Sequence, residues 1–594
     1  MDASTRFANA LRLMLLGLAG LALVWGVYAV SVYGWRDLYA DQWRMYRQFL
    51  SLSFPDNVLF LDNGHRPVIP NLLRVAEIAW LRGNQWLQWA VGLAFAVGTV
   101  LLGWRIVLRD RAISSLSQAA CVVTLTLAVF WLANSRMLMH PNESVHTYLI
   151  TMLVAVAGAV GARLANGARG IGPEIIAASA GCFVATFSFG PGVALFVALA
   201  LSLVIGRARW VNVVFLLAAL VGTLAAYFAL PGSEGVSGVL QVRPLDNARI
   251  AAQWLSSPIM YLLLPFLDAG QSGALPVEFL RRAAAWSSSI YTAIFGDVWK
   301  SVGPQAVVGA AGITVLFLHS VACWRRRATT PTRFAGFVFA WFGLGVAGVV
   351  SLSRLAYFDV HAGQVYANRY LPWSCLFWAG LVLIALGRPR VEATRARETT
   401  RPWVLAAVTF FAVAALASNG SWMQWSRFTQ TLIRHQATAV LTDVYSASLY
   451  QGETLPEEVK AGLPRVREAR IAMFAHPAAG RLGTRPADLP SEVFPTEGVA
   501  TARPLKSDAG AAALEIEASL PRAYPRVRAA YWVFTDDAGV VIGYGHANPL
   551  DGNTAIAGFV RAEQPRAVVR AYPWPEAGGF VPGLVLRVVE AKPG

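Results

Sequence analysis

Long apolar runs alternate with short polar segments along residues 1–420. A helix of about 20 residues crosses the ~30 Å hydrocarbon core of a bilayer, and the runs are of this order. The pattern therefore predicts about eleven transmembrane helices. Their expected positions are 9–32, 86–104, 115–133, 147–163, 173–188, 190–206, 211–230, 303–323, 334–352, 371–387 and 403–419.

One further apolar segment, 254–267 (WLSSPIMYLLLPFL), is too short to span a membrane comfortably. We interpret it as a re-entrant or interfacial helix. If it were a full span, the orientation of every later helix would reverse.

The arginines predict how these helices are oriented. They form short clusters on every second loop, as the positive-inside rule requires of cytoplasmic loops. The formal net charge of +16 is thereby explained by topology, which argues against a nucleic-acid partner. The clusters are Arg105, Arg109 and Arg111; Arg163 and Arg169; Arg207 and Arg209; Arg325, Arg326 and Arg327; and Arg388, Arg390, Arg395, Arg397 and Arg401.

The predicted orientation divides the chain into two domains. Residues 1–420 would form an α-helical transmembrane body with a cytoplasmic N-terminus. Residues 421–594 would form a soluble periplasmic α+β domain, helical over about 423–463 and then rich in short strands such as RAAYWVFT and VVIGYGHA. We expect a small antiparallel sheet or sandwich, acting as an accessory lid or a carbohydrate-binding module. The loops on the outer side are 33–85, 134–146, 231–302 and 353–370.

Composition agrees with a membrane protein: 56% of the residues are hydrophobic and only 14% are charged. No P-loop, dinucleotide-binding fingerprint or HExxH motif occurs. Because the cytoplasmic loops are short, we expect any chemistry on the outer side.

The first outer loop contains an aromatic and acidic segment, GWRDLYADQWRMYRQFL. Its periodicity predicts a helix in the membrane interface with Trp35 and Trp43 among the headgroups. Asp37 and Asp41 would lie one turn apart on the other face, where two like charges raise one pKa, as suits a general base. The alternative is a solvated face with Asp41 paired to Arg44. A second short helix is expected at about 70–80.

Three other outer segments collect residues suited to binding phosphate or transferring protons. Arginine forks fit phosphate oxygens, and an acid such as Glu143 could act on the acceptor. Surface or structural roles are the alternative for these residues, and a divalent metal bound by His140, Glu143 and His146 also stays open. The residues are His65 and Arg66; Arg136, His140 and Glu143; and Arg354, Arg369 and Tyr370.

These features resemble the GT-C class of integral-membrane glycosyltransferases over about residues 1–420. The shared features are an acidic residue in the first outer loop, interfacial helices in that loop, roughly eleven spans and an exported soluble tail. The stretches DLYADQW, NGHRPVIPNLL, SFGPGVAL and ANRYLPW resemble recurrent stretches of bacterial proteins of this type. The chain departs from the family in having Asp-x-x-x-Asp where an adjacent acidic pair is usual.

The resemblance implies sugar transfer from a polyprenyl-phosphate donor to a glycan, lipid or protein acceptor of the cell envelope, usually with inversion. Asp41 or Asp37 would be the base, with Glu143 as a further acid. The residues implied at the donor phosphate are Arg66, His65, Arg369 and Tyr370, and those supporting the acceptor are Arg136, His140 and Arg354.

Other functions stay open. An O-antigen-type polymerase or ligase would use lipid-pyrophosphate donors and place its main arginines in later outer loops. A non-enzymatic transporter of polysaccharide or lipid would place ionisable residues in mid-span and show an internal repeat. The spans largely lack Asp, Glu and Lys, which argues against a transporter. A non-catalytic envelope scaffold is the remaining alternative.

Overall fold

The structure is a computed structural model, and most of the chain is described. The described residues are 3–165, 171–231, 240–268, 270–271, 277–300, 302–326, 329–389, 400–450, 454–490, 492–505, 509–510, 512–524, 529–547, 554–561, 568–575 and 582–590. Five arginines of the predicted cytoplasmic clusters lie outside these residues, namely Arg169, Arg327, Arg390, Arg395 and Arg397.

The chain forms two compact units, each treated by itself below. Unit 1 comprises Met1–Val32, Leu59–Asn71 and Trp89–Met423. Unit 2 comprises Tyr33–Val58, Leu72–Gln88 and Gln424–Gly594. Two segments of the predicted first outer loop thus belong to the same unit as the C-terminal region.

Helices form most of the described structure. In chain order they are α1 Ala3–Tyr33, α2 Gln42–Ser51, α3 Asp56–Leu59, α4 Val68–Leu81, α5 Trp86–Arg109, α6 Ser115–Phe130, α7 Ser135–Met139, α8 Pro141–Ala165, α9 Pro173–Thr186, α10 Ala194–Ile205, α11 Trp210–Ala229, α12 Pro244–Leu255, α13 Ser257–Leu267, α14 Glu278–Phe295, α15 Gly303–Arg326, α16 Pro331–Val360, α17 Leu371–Leu386, α18 Thr400–Leu441 and α19 Pro456–Glu468.

Among the described residues, nine helical segments are long and apolar enough to cross a membrane. They correspond to nine of the predicted spans, so nine of the predicted long apolar helices are confirmed, as is compatible with a polytopic membrane protein. The segments are Thr5–Tyr33, Trp86–Arg109, Ser115–Met139, Pro141–Ala165, Trp210–Ala229, Gly303–Arg326, Pro331–Val360, Ala362–Leu386 and Pro402–Leu441.

Two predicted spans, 173–188 and 190–206, form shorter helices instead, Pro173–Thr186 and Gly190–Ile205. The sequence SFGPG ends α9 and forces a tight 3₁₀ turn at Gly190–Val193 before α10 begins. At 1.5 Å per residue, the 14 residues of α9 extend only about 21 Å, which is less than the thickness of the hydrocarbon core.

The ambiguous segment 254–267 is part of a helix pair. Helices α12 and α13 are bent by 68° at Ser256, which is the geometry of a broken span or a re-entrant loop. The predicted re-entrant helix is one of these two arrangements.

Close helix packing forms the centre of unit 1. A Cβ atom at Gly380 of α17 would lie 2.5 Å from the backbone nitrogen of Ala340 in α16. Glycine therefore lets the two backbones approach closely, as is common between membrane helices.

The C-terminal part of unit 2 is a β-barrel. Its strands are β1 Val444–Tyr445, β2 Gly498–Leu505, β3 Ala509–Gly510, β4 Ala513–Ser519, β5 Ala529–Thr535, β6 Val541–Ala547, β7 Ala555–Arg561, β8 Val568–Pro575 and β9 Leu584–Glu590. Strands β1 and β3 form a separate two-stranded sheet, and the other seven close in the order β2-β4-β7-β6-β5-β8-β9.

The predicted strands are confirmed, but they form a closed barrel instead of the expected small antiparallel sheet or sandwich. The barrel closes because β2 pairs in parallel with β9, while its other pairs are antiparallel. Closure removes the two exposed edges that an open sheet would have. Sequence periodicity detects strands but not this long-range pairing.

The helix predicted from residue 34 begins later, and this changes the relation of the two aspartates. Ala40 has a φ of +51°, a left-handed conformation that interrupts a helix, and α2 starts after Asp41 as its N-cap residue. Asp37 lies in the irregular segment before it. The prediction of two acids one turn apart on a helix is therefore wrong.

The aromatic face of α2 packs inside unit 2. Trp35, Trp43 and Tyr46 are buried, and a Cβ at Gly462 of α19 would lie 2.8 Å from the carbonyl oxygen of Trp43. The expectation that these rings face headgroups is wrong, because a second helix covers the same apolar stripe that lipid would cover. The second predicted helix, at about 70–80, is confirmed as α4.

Candidate functional site

Unit 2 contains a cavity of about 530 Å³ whose wall is polar and aromatic. Five parts of the unit form it: residues 34–37 before α2, residues 81–86 after α4, residues 430–434 of α18, residues 472–477, and Tyr531 of β5. A pocket of this size with a few convergent polar groups is typical of a small-molecule site. Of the two aspartates that the sequence singles out, Asp37 lines it.

Asp37 is held in the cavity by a hydrogen bond from the barrel. The hydroxyl of Tyr531 donates to Asp37 Oδ1 at 2.9 Å. Burial raises the pKa of Asp37, against the smaller lowering effects of Arg434, the Tyr531 hydrogen bond and Arg36. The sequence predicted a raised pKa from a neighbouring aspartate, whereas the structure attributes it to burial.

The cavity contains more positive than negative side chains. Arg36, Arg82 and Arg434 line it, with Asp37 as the acid among the lining residues. Arg82 and Arg434 form no ion pair with the described part of the chain. Arg36 stacks on Trp86, with its Cζ 3.9 Å from the ring centroid. Such a surface suits an anionic ligand that also has an apolar or sugar face.

Buried glutamines fix the backbone that bears Arg36 and Asp37. Gln85 Nε2 donates to the carbonyl oxygen of Arg36 at 2.8 Å, and Gln42 Nε2 donates to Gln85 Oε1 at 2.8 Å. Gln430 of α18 donates to the carbonyl oxygen of Gly34 at 3.4 Å. The segment belongs to no helix or strand, so these hydrogen bonds provide partners for backbone oxygens that secondary structure leaves without one.

Sequence reasoning missed four residues of the cavity: Arg82, Arg434, His476 and Tyr531. Tyr531 belongs to the predicted strand RAAYWVFT, which gives no sign of a functional role, and the other three residues belong to no motif. His476 Nδ1 accepts a hydrogen bond from the backbone nitrogen of Ala478 at 3.2 Å, so its neutral form bears the proton on Nε2. Its ring lies 5.0 Å from that of Tyr531.

Asp41 forms an ion pair with Arg44 at the surface, which is the alternative to a role as general base. Its Oδ1 lies 3.3 Å from Arg44 Nη1, and Arg44 also contacts Glu458 at 2.5 Å. The Asp41 side chain is 46% exposed, and it is not among the described residues that line the cavity. The predicted pairing with Arg44 is confirmed, and of the two aspartates only Asp37 is among the described residues that line the cavity.

In unit 1, three of the recurrent stretches meet around Phe189 of SFGPGVAL. The ring of His65, from NGHRPVIPNLL, lies 4.3 Å from the Phe189 ring, and that of Trp373, from ANRYLPW, lies 5.9 Å away. His146 stacks on the same ring at 4.6 Å. Burial, reinforced by the positive charge of Arg354, lowers the pKa of His65 to about 3, so His65 is neutral at neutral pH.

Arg66 is buried and binds backbone oxygens of its own unit. Its guanidinium donates to the carbonyl oxygens of Leu59 at 2.9 Å, Leu230 at 2.8 Å, and Pro231. These hydrogen bonds give Arg66 a structural role, which is the alternative to binding the donor phosphate. A direct contact with a lipid phosphate, as the resemblance implies, would compete with these hydrogen bonds.

Glu143 is paired inside unit 1. Arg136 Nη2 and Nε donate to its two oxygens at 2.6 Å and 3.0 Å, and His140 Nδ1 lies 3.6 Å from Oε1. The expected second acid is thus a counter-ion for Arg136, and it also interacts electrostatically with Arg369.

The remaining donor-site candidates of unit 1 lie in the segment after α16. Arg369 Nη2 contacts Gln364 Oε1 at 3.5 Å, and its Cζ lies 5.1 Å from the ring of the buried Tyr370. Within the described residues, neither Arg369 nor Arg354 forms an ion pair. Their phosphate-binding roles stay predictions.

The metal alternative is not supported. Among the described residues, no three His, Cys, Asp or Glu side chains form a group that could hold a metal ion. His146 stacks on Phe189 instead of joining His140 and Glu143 as a ligand.

The structure therefore divides the candidates between the two units. Asp37 and Asp41 belong to unit 2. The other predicted site residues belong to unit 1, namely His65, Arg66, Arg136, His140, Glu143, Arg354, Arg369 and Tyr370. No protein-family model matches the chain, and no curated protein matches it either.

Proposed function

We propose that the protein is a membrane glycosyltransferase in which Asp37 is the general base. Its donor is a polyprenyl-phosphate-linked sugar, and its acceptor is a glycan, lipid or protein of the cell envelope. The observation that supports this proposal is the cavity of unit 2, where a carboxyl group of raised pKa faces the same space as three arginines. The sequence resemblance to GT-C enzymes supports the same class.

The chemistry follows from these groups. An acceptor hydroxyl attacks the anomeric carbon of the donor sugar while the Asp37 carboxylate takes the hydroxyl proton. The bond between that carbon and the phosphate oxygen breaks, and its electron pair leaves with the polyprenyl phosphate. Arg82 and Arg434, with Arg36, stabilise the negative charge that develops on this phosphate.

A raised pKa helps the base in this step. A carboxylate with an ordinary pKa is a weak base at neutral pH, and burial strengthens it by destabilising its charge. The ring of Trp86, already stacked under Arg36, offers an apolar face to a sugar.

The proposed location is a bacterial inner membrane with a cytoplasmic N-terminus and a periplasmic C-terminal barrel. The nine apolar helices support insertion in a membrane. Arginines in the last turns of α5, α8 and α15 support the orientation, because such clusters favour the cytoplasmic side.

An O-antigen-type ligase or polymerase with a lipid-pyrophosphate donor is the second candidate. One observation favours it: Arg354 and Arg369, in a later predicted outer loop, have no ion-pair partner in the described part of the chain. In that reaction Arg369→Ala would remove activity and Asp37→Asn would retain it. The glycosyltransferase proposed above requires Asp37→Asn to remove activity.

The test compares cells that lack the protein with cells that express it. Mass spectrometry of envelope glycans, lipids and proteins should show one added sugar that depends on the protein, together with a larger pool of polyprenyl-phosphate sugar in cells without it. Identical envelopes and identical polyprenyl-linked pools would contradict the proposal.

A further inference from the structure

The C-terminal barrel supplies a side chain that contacts Asp37. Tyr531 lies on β5, where it pairs with Trp574 of β8, and β5 also pairs with β6. The Tyr531 side chain is buried, with 6% of the residue exposed. Because β5 is paired on both sides, the position of the phenol is determined by the barrel.

The direction of the hydrogen bond is defined. The tyrosine hydroxyl lies 2.9 Å from Asp37 Oδ1. Burial raises the pKa of Tyr531 well above its usual value, and the negative charge of Asp37 adds to this effect. The phenol therefore keeps its proton at physiological pH and donates it to the carboxylate.

We infer that Tyr531 is a positioning residue that orients the Asp37 carboxyl towards the cavity and stabilises its ionised form, so that the barrel is part of the reaction site. This role rests on the proposed function only in treating Asp37 as the base. The barrel would then be more than the accessory lid or carbohydrate-binding module expected from sequence.

Other charged and titratable groups act on the same carboxyl or line its cavity. Arg36 acts from the segment of Asp37 itself, and Arg434 acts from α18. Arg82 and His476 line the same cavity. All four side chains are the same in the wild type and in every tyrosine variant, so a difference in midpoint between these proteins reports the substituted tyrosine.

The hydrogen bond from Tyr531 lowers the pKa of Asp37 and so opposes the effect of burial. A hydrogen bond to a charged group contributes enough to move a titration midpoint by about one pH unit. Loss of the phenol hydroxyl should therefore raise the midpoint of Asp37, and a stronger donor should lower it.

The experiment is an infrared titration of the full-length protein in lipid nanodiscs, which needs no donor or acceptor. The carbonyl band of the protonated Asp37 carboxyl is isolated by subtracting the spectrum of the matching Asp37→Asn protein at each pH. In Tyr531→Phe the midpoint should rise by about one pH unit. Tyr524→Phe is the matched control, because Tyr524 is a barrel tyrosine whose hydroxyl donates to the carbonyl oxygen of Pro582. Its midpoint should equal that of the wild type.

A second substitution covers the case in which Tyr531→Phe fails to fold. Incorporation of 3-fluorotyrosine at position 531 keeps the shape of the side chain but makes its hydroxyl a stronger donor, so the midpoint should fall. If both proteins fold and their midpoints equal that of the wild type, the inference is overturned. If Tyr531→Phe does not fold, an unchanged midpoint in the fluorinated protein overturns it. Failure of the proposed transfer reaction would leave this titration unaffected, so the two outcomes are distinguishable.

Discussion

Arg136 donates two hydrogen bonds to the carboxylate of Glu143, at 3.0 Å from Nε and 2.6 Å from Nη2. The side chains are only 4% and 14% exposed, so this is a largely buried ion pair. Its two members are the residues that the sequence singled out as an acceptor contact and a second acid.

This pairing predicts a structural role for Glu143. Glu143→Ala should lower the free energy of unfolding by about 3–5 kcal/mol, because it leaves the charge of Arg136 without its counter-ion. The double variant Arg136→Met, Glu143→Met should recover most of that loss, since it removes both charges. Thermal unfolding in detergent measures both effects. A single variant as stable as the wild type would refute the structural role, and a folded double variant without activity would assign the Arg136–Glu143 pair to the reaction.

The contact between His65 and Gly190 predicts a second effect. A Cβ atom at Gly190 would lie 2.5 Å from His65 Nδ1, so Gly190→Ala must displace the imidazole or the turn. We expect a loss of about 1–3 kcal/mol in the free energy of unfolding. Gly222→Ala is the control, because a Cβ there meets no atom within 4 Å. Equal thermal stability of the two variants would show that the two stretches do not pack as described.

Asp37 should make stability depend on pH in a defined direction. Burial raises its pKa in the folded protein, so the folded state is favoured while Asp37 is protonated, and this advantage is lost as the pH rises through the folded-state pKa. Asn cannot ionise, so Asp37→Asn should increase the melting temperature relative to the wild type, and the increase should grow with pH.

The control for this prediction is Asp41→Asn, at the half-exposed acid paired with Arg44. It should show no such growing increase. A pH-independent difference between Asp37→Asn and the wild type would contradict the buried titration of Asp37.

The arginines of the cavity predict how the donor binds. Arg434→Gln should raise KM for the anionic donor at least tenfold, since one charge-assisted hydrogen bond to phosphate contributes roughly 1.5–3 kcal/mol. Arg465→Gln, on the exposed side of α19, is the control and should leave KM unchanged. Initial rates against donor concentration measure this, and equal KM values for both variants would exclude Arg434 from the donor site.

Much of the membrane part could be predicted because lipid imposes one local rule on sequence. Any helix that crosses a bilayer needs a long apolar run, and nine such runs form the expected helices. At residues 173–206 the two predicted spans form apolar helices that are shorter than the other nine and are separated by the turn at Gly190. Run length alone does not show whether a helix reaches across the membrane.

The candidate site was only half predictable, for a different physical reason. Asp37 stood out as one of two aspartates four residues apart just after the first predicted span, although their predicted arrangement on one helix is wrong. Tyr531 and Arg434 are nearly 500 and 400 residues away from it in sequence and belong to ordinary patterns. Their proximity depends on the barrel and on the end of α18, which no local periodicity encodes. The left-handed conformation at Ala40 also could not be expected, since alanine rarely adopts it.

The most direct test of the central claim is the transfer rate of Asp37→Asn and Asp41→Asn, measured with the donor and acceptor that envelope mass spectrometry identifies. If Asp37 is the base, Asp37→Asn should lose at least 100-fold in kcat, on the order of the usual contribution of general base catalysis. Asp41→Asn should keep the rate of the wild type. Full activity of Asp37→Asn would contradict the account.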